Sequence, residues 1–391
     1  MKNRNMLKDF SLSTITAGLI ADLVGYSSSA ILVFQAALAA GTNSLQASSW
    51  LGILCVAMGL LTITLSLRYK APILFAWSTA GAALLITSLP GVPLSDAVGA
   101  FLFSAFLIIL TGITGSLEKI IKHIPVSLAS AMLGGILLRF GLGVFTSMTS
   151  QFFLAFMMLL TFLVSRRFYP RYSVIFSLVI GSLIAWFQNL IHFETLSTGF
   201  AYPHLTTPTF SFSALLGIGL PLYIVTMTSQ NMTGSAILKA FGFTDVPISK
   251  LITWSGIANF ITAPFGGFAL NLSAITAAIC MGPEAHLDKD RRYTAAIASG
   301  LFYIAIGIFS SSVTSLFSSL PKELILTITG LALFGTISQS IATALQHDSE
   351  REAAFITFVA TASGFTLFGI GSAFWGLIAG IFVIFVLKWK R

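Results

Sequence analysis

Charge is the scarcest property of this 391-residue chain. Only 9% of its residues are Asp, Glu, Lys or Arg, against about 25% in an ordinary soluble domain. A soluble protein must clothe its exterior in polar groups, so this shortage excludes a soluble globular fold. Cysteine is nearly absent too. Cys55 and Cys280 both lie inside apolar runs, and neither belongs to a CxxC pair. Redox and metal motifs are therefore missing, and two small buried hydrophobes is the plain reading. The five histidines, His123, His192, His204, His286 and His347, fall in or near loops without metal spacing. There is no hydrolase, kinase or dinucleotide motif, so no enzyme, cofactor or metal is expected. The net charge of +8 does not point to nucleic acid either. Basic residues sit in short clusters between apolar runs, as Arg166, Arg167 and Arg171 do, and no basic stripe with interleaved aromatics stands out.

What the chain has is apolar sequence. Hydrophobic residues make up 56% of it, and the mean hydropathy is +0.92. The solvent facing most of it is the lipid bilayer. A spanning helix needs about 20 apolar residues. Apolar runs fall near 12–38, 47–67, 73–89, 94–116, 125–145, 151–167, 172–191, 213–238, 249–263, 266–282, 293–316, 322–345, 353–367 and 370–388. These predict an all-α polytopic protein with about fourteen transmembrane segments. The run from Ser11 has no small-residue cleavage site and reads as a retained first span.

The positive-inside rule checks that count. With the N-terminus inside, Lys2, Arg4, Lys8, Arg68, Lys70, Lys119, Lys122, Arg166, Arg167, Arg171, Lys239 and Lys250 all fall inside. So do Lys289, Arg291, Arg292, Arg351, Lys388, Lys390 and Arg391. Of the 21 Lys and Arg, Arg139 lies within a span and Lys322 outside. Both termini are expected in the cytoplasm of a bacterium, with the protein in its inner membrane.

The chain also repeats itself. Pro72 and Pro264, each after an alanine, are 192 residues apart; Ser116 and Ser312, Pro125 and Pro321, and Gly134 and Gly330 are each 196 apart. Two halves of seven spans follow. Because seven is odd, the second half enters the membrane inverted, the plan of many secondary transporters with a midplane site at the repeat interface. Spans 3 and 10 are short and carry proline, glycine and small polar residues at mid-depth. Each is expected to be discontinuous, an extended stretch followed by a half-helix. Non-helical backbone survives there only when buried in protein or lining a cavity, and half-helix N-termini suit an anion. Two Gly/Pro-kinked helices are the alternative.

Only two ionisable residues lie deep in the spans. Asp22 is roughly 15 Å along span 1 from Leu12, and Arg139 roughly 21 Å beyond Pro125 in span 5. An intramembrane charge is a functional hypothesis by default. Asp22 is a candidate proton carrier, or a structural partner of Arg139. Arg139 is a structural residue or an anion guide. Span 8 carries Thr228, Ser229, Gln230 and Asn231, whose amides need partners in another helix or a ligand. Gln and Asn offer N–H donors to a carboxylate. Candidate substrate-binding residues are Tyr26, Trp77, Ser78, Thr79, Gln230, Asn231 and Asn271. Trp77, Tyr26, Phe75 and Phe268 could enclose an aromatic ring, though plain packing is the usual role of such residues.

Several long stretches, in register, resemble the BenE family of benzoate/proton symporters along essentially the whole chain. They include Phe75-Ala76-Trp77-Ser78-Thr79-Ala80-Gly81 and its continuation to residue 85. Residues 133–141, 225–231, 274–280, 283–290 and 369–377 continue the match. The resemblance implies a fold similar to the uracil permease and sulfate permease group. There a core domain would comprise spans 1–4 and 8–11 (residues 1–123 and 211–318), and a gate domain spans 5–7 and 12–14 (residues 124–210 and 319–391). It implies a substrate held between spans 1, 3, 8 and 10, and movement of core against gate. The uracil permease pattern has acids near Gln230 and Leu270; this chain has neither, which suits a monocarboxylate better than a neutral nucleobase. The expected function is secondary active, proton-coupled uptake of benzoate or a similar aromatic carboxylate by alternating access. The alternatives are another organic anion or a purine on the same fold, or an uncoupled anion conduit. A membrane sensor is disfavoured, since no soluble signalling module is attached. A homodimer is an admissible assembly.

Overall fold

The computed structural model describes residues 9–115, 125–191, 199–273 and 275–388. Lys2, Arg4, Lys8, Ser116, Lys119, Lys122, His123, His192, Lys390 and Arg391, which figure in the topology and motif arguments, lie outside the described residues. In chain order the elements are α1 (Leu12–Ala39), α2 (Ser44–Tyr69), β1 (Phe75–Trp77), α3 (Thr79–Ser88) and α4 (Leu94–Thr114). Next come α5 (Val126–Ser150), α6 (Phe152–Phe168), α7 (Ser173–Phe187), α8 (Phe212–Ala240) and α9 (Ile248–Thr262). The chain continues with β2 (Leu270–Leu272), α10 (Ile275–Met281), α11 (Tyr293–Ile308), α12 (Ser310–Ser319) and α13 (Lys322–Ala344). It ends with α14 (Arg351–Ser363), a hairpin of β3 (Thr366–Leu367) and β4 (Ile370–Gly371), and α15 (Ser372–Lys388).

The local sequence accounts for these boundaries. Ser11 caps α1 and Asn43 caps α2, each in a reciprocal capping box with the residue three further on, Thr14 and Gln46. Pro93, Pro125, Pro247 and Pro321 stand at the starts of α4, α5, α9 and α13, where a missing N–H costs no helical bond. Among the described residues five helices are long and apolar enough to cross a membrane, or seven when two bent pairs each count as one span. One of those pairs turns by 64° between Ile308 and Ser310.

An apolar core is buried, but the outer surface differs from that of a soluble protein. Phe212 is 74% exposed, whereas Asp22, Asn231 and Asn271 are 0% exposed. Many large apolar residues face outward, where lipid meets them, while polar side chains such as these are held inside. The main packing pairs are α2 with α11, α4 with α9, α5 with α13 and α14, α6 with α7, and α14 with α15. Small residues let these helices approach. A Cβ on Gly59 would collide with the Gly300 carbonyl oxygen, and one on Gly300 would come within 2.8 Å of the Gly59 oxygen. Gly59→Val is therefore expected to force α2 from α11, costing about 1–3 kcal/mol. Thermal melting of the purified protein in detergent checks this, and an unchanged melting temperature would contradict the close crossing.

Candidate functional site

Between α2 and α3 the chain leaves helical geometry and runs extended as β1; between α9 and α10 it does so again as β2. The two strands pair antiparallel, with Phe75 opposite Leu272, Ala76 opposite Asn271 and Trp77 opposite Leu270. The expected extended stretches with half-helices behind them are present in both places. Three residues of strand satisfy few backbone groups, so side chains supply the rest. Ser66 Oγ donates to Ile73 O at 3.0 Å and accepts from Ile73 N at 3.1 Å. Phe75 N donates to Thr62 Oγ1 at 3.0 Å. Asn259 accepts from Leu270 N at 2.6 Å and donates to Leu270 O at 3.1 Å. Asn231 Oδ1 accepts from Leu272 N at 3.1 Å. The Asn271 amide, oriented with its oxygen toward Ser78 N, has 3.1 Å bonds to Ser78 N and Leu272 O. Ser78 in turn caps α3, its Oγ accepting from Gly81 N at 2.9 Å.

Helices α1, α3 and α8 converge on this crossing. Within α8, Thr226–Asn231 is wound as a π-helix, a widened turn often found at functional sites. Gln230 Nε2 donates to Thr79 Oγ1 at 3.2 Å, joining α8 to the first turn of α3. The Tyr26 and Trp77 rings lie 5.6 Å apart at 58°. Trp77 Nε1 donates to Ser29 Oγ at 2.8 Å. The seven predicted substrate residues thus meet at one place, but in two layers. Tyr26, Thr79 and Gln230 are partly exposed, while Trp77, Ser78, Asn231 and Asn271 are buried. Of the other two aromatics considered, Phe268 packs with Trp50 and Phe101, and Phe75 is buried.

Asp22 lies one helical turn before Tyr26 on α1 and is fully buried. Its Oδ1 accepts from Ser299 Oγ at 2.5 Å, and its Oδ2 has no hydrogen-bond partner among the described residues. The Tyr26 hydroxyl is also buried without a partner among the described residues. Asp22 and Arg139 do not pair. Helix α1 packs on α11, whereas Arg139 reaches from α5 to the end of α14, where its Nη2 donates to Ser363 O at 2.8 Å.

Sequence reasoning missed Asn259, Thr62, Ser66 and Ser299. Asn259 carried a usable signal, an amide inside an apolar run, the same argument that singled out Asn231. The three hydroxyl residues carried none, because many Ser and Thr in spans bond only to their own helix, as Thr64 does to Leu60 O.

The BenE family model, described as "Benzoate membrane transport protein", matches residues 8–386. The chain is 47% identical over 367 residues to "Inner membrane protein YdcO" of Escherichia coli K12, covering 94% of each. It is 40% identical over 384 residues to the "Benzoate membrane transport protein" of Acinetobacter baylyi, covering 98% of this chain and 97% of that one. Its fold is similar to that of SLC26A9, with TM-score 0.66 and 12% identity, covering 98% of this chain and 67% of that one. It is also similar to the transmembrane domain of the cyanobacterial bicarbonate transporter BicA, with TM-score 0.62 and 14% identity, covering 95% and 97%.

The strand frame is testable apart from transport. Asn259→Ala orphans both the N–H and the C=O of Leu270, at about 1–3 kcal/mol for each buried group. Thr64→Ala, whose hydroxyl only back-bonds within α2, is expected to shift stability by less than about 0.5 kcal/mol. Equal melting temperatures for the two variants would remove Asn259 from the frame.

Proposed function

The chain belongs to the BenE family of benzoate membrane transport proteins, and on that premise we propose that it takes up benzoate or a similar aromatic carboxylate together with a proton, by alternating access. Its family is one of membrane transporters, not enzymes. The observation that carries the substrate reading is the contact of Gln230 with Thr79 at the start of α3. There, neutral N–H and O–H donors and the first-turn amides of a helix converge, a setting that favours an anion. Tyr26 with Trp77 behind it supplies an aromatic wall. Ser78, Asn231 and Asn271 serve the site by holding the strands. Solved neighbours named as bicarbonate and anion transporters support an anionic substrate.

The architecture in this reading is fourteen spans in two inverted halves of seven, with spans 1–4 and 8–11 as core and 5–7 and 12–14 as gate. Reciprocal packing supports it. If α8 to α15 repeat α1 to α7, then α2 on α11 is matched by α9 on α4. In the same way α1 on α11 is matched by α8 on α4, and α6 on α7 by α14 on α15. The strand register, centred on Ala76 and Asn271, supplies the crossing point of the two halves. The name of the Escherichia coli relative supports an inner-membrane location, and the charge pattern supports cytoplasmic termini. The reading holds for a monomer and a homodimer alike.

Asp22 is the proton carrier in this scheme. Among the described residues it is the one acid buried deep beside the site, with one oxygen on Ser299 and the other unpartnered. Proteoliposomes given radiolabelled benzoate and an inward proton gradient test both ideas. Wild type is expected to accumulate benzoate. Asp22→Asn is expected to lose gradient-driven accumulation while keeping benzoate–benzoate exchange. Accumulation by the variant equal to wild type would remove Asp22 from coupling, and no uptake by folded wild type would overturn the substrate.

A further inference from the structure

One cavity away from the strand crossing has a charged wall. It measures about 270 Å³ and lies where the C-terminal end of α3 meets α5, α14 and the start of α15. Thr87 and Ser88 of α3 face Arg139 of α5, Thr361 of α14 and Ser372 of α15 across it. Its size is just below the roughly 300–1,000 Å³ of pockets for drug-sized ligands, so it suits a smaller molecule. Among the described residues, no acidic side chain lines it.

Arg139 is held but not neutralised there. Its Nε donates to Ala362 O at 3.3 Å and its Nη2 to Ser363 O at 2.8 Å, so it closes the carbonyl end of α14. A guanidinium has five N–H donors, and these two bonds leave three. Arg139 takes part in none of the salt bridges among the described residues. Gly364, at φ +65°, makes the arrangement fit, since a Cβ there would collide with Arg139 Nη2. Thr361 also lines the wall, but it is only 3% exposed, and its Oγ1 is turned to Gly376 of α15, with no hydrogen-bond partner among the described residues. Arg139 is itself exposed at the mouth of this cavity, and an arginine with spare donors and no acid beside it among the described residues can hold a planar anion that accepts two parallel N–H bonds.

The geometry points to this cavity as a second anion subsite, in which Arg139 holds the carboxylate of a small organic acid on its way to the strand crossing. The two places are joined by α3, whose nine-residue rise from Thr79 to Ser88 spans roughly 14 Å. By the charge pattern, the cavity opens on the outer face. The inference rests on the carboxylate-transport reading, but its test separates the two.

The full-length protein in detergent is treated with phenylglyoxal, and modification of Arg139 is followed by mass spectrometry of its peptide. Benzoate is expected to slow that modification about fivefold or more in wild type and equally in Gln230→Ala, since charge-assisted carboxylate bonds shield the guanidinium. Sodium chloride at the same concentration is expected not to. In proteoliposomes, Arg139→Gln is expected to raise KM for benzoate about tenfold more than it lowers kcat, with Arg139→Lys recovering part of the loss. Protection without uptake keeps the subsite and overturns the transport reading. Uptake without protection, or equal protection by chloride, overturns the subsite and leaves transport standing. Neither uptake nor protection overturns both.

Discussion

Between Phe75 and Trp77, and again between Leu270 and Leu272, the backbone runs extended inside a fold whose outer surface meets lipid. Each peptide group there needs a partner supplied by protein, because hydrocarbon offers none. Three paired residues per strand cannot meet that demand alone. Side chains of α2, α8 and α9 complete it, through Thr62 and Ser66 on one strand and Asn231 and Asn259 on the other. The crossing therefore ties three helices, α2, α8 and α9, to the strand pair.

That constraint divides the polar residues of the interior by task. An amide already bonded to backbone at both ends has little left to offer a ligand. Asn259 is fully used in this way, and Asn231 has one end on Leu272 N and the other on the Met227 sulfur at 3.3 Å. Gln230, one residue earlier on a widened helical turn, escapes the frame. Its bond is to a single hydroxyl, Thr79, on a partly exposed surface. A bond between two neutral side chains is readily exchanged for a charge-assisted one. Neighbouring amides on one turn thus hold the strand in one case and join a helix start through a single hydroxyl in the other.

Much of this was legible in the sequence. Proline, glycine and small polar residues in two short apolar runs announced the broken spans, and the strands appeared in both. The offset of 192 between Pro72 and Pro264 does not carry through to the strands, because the second repeat turns through Gly266, at φ +90°, before β2 begins. The layering of the site was not legible. Residue type alone does not say whether an asparagine ends on a ligand or on a peptide group 41 residues away in sequence, as Asn231 does. The separation of Asp22 from Arg139 was hidden for a related reason: both fall inside apolar runs, yet Asp22 is buried whereas Arg139, expected to lie deep, is exposed at the end of α14.

That separation has an electrostatic consequence for coupling. The described site at the strand crossing holds no cation; its donors are an amide, a hydroxyl and the first turn of α3. Neutral donors stabilise a carboxylate less than a guanidinium does, and an isolated charge taken out of water is costly. Moving a bare benzoate through such a site would carry a full negative charge across a low-dielectric region. Moving it with a proton carries none. In the proposed scheme that proton sits on Asp22, a buried acid one turn from Tyr26 with one oxygen unpartnered among the described residues. Had Asp22 been paired with Arg139, the acid would have been locked as half of an ion pair, and neither charge would be free to act. With the arginine on another helix, the carboxyl can exchange its proton and the guanidinium can meet an anion, each without undoing the other.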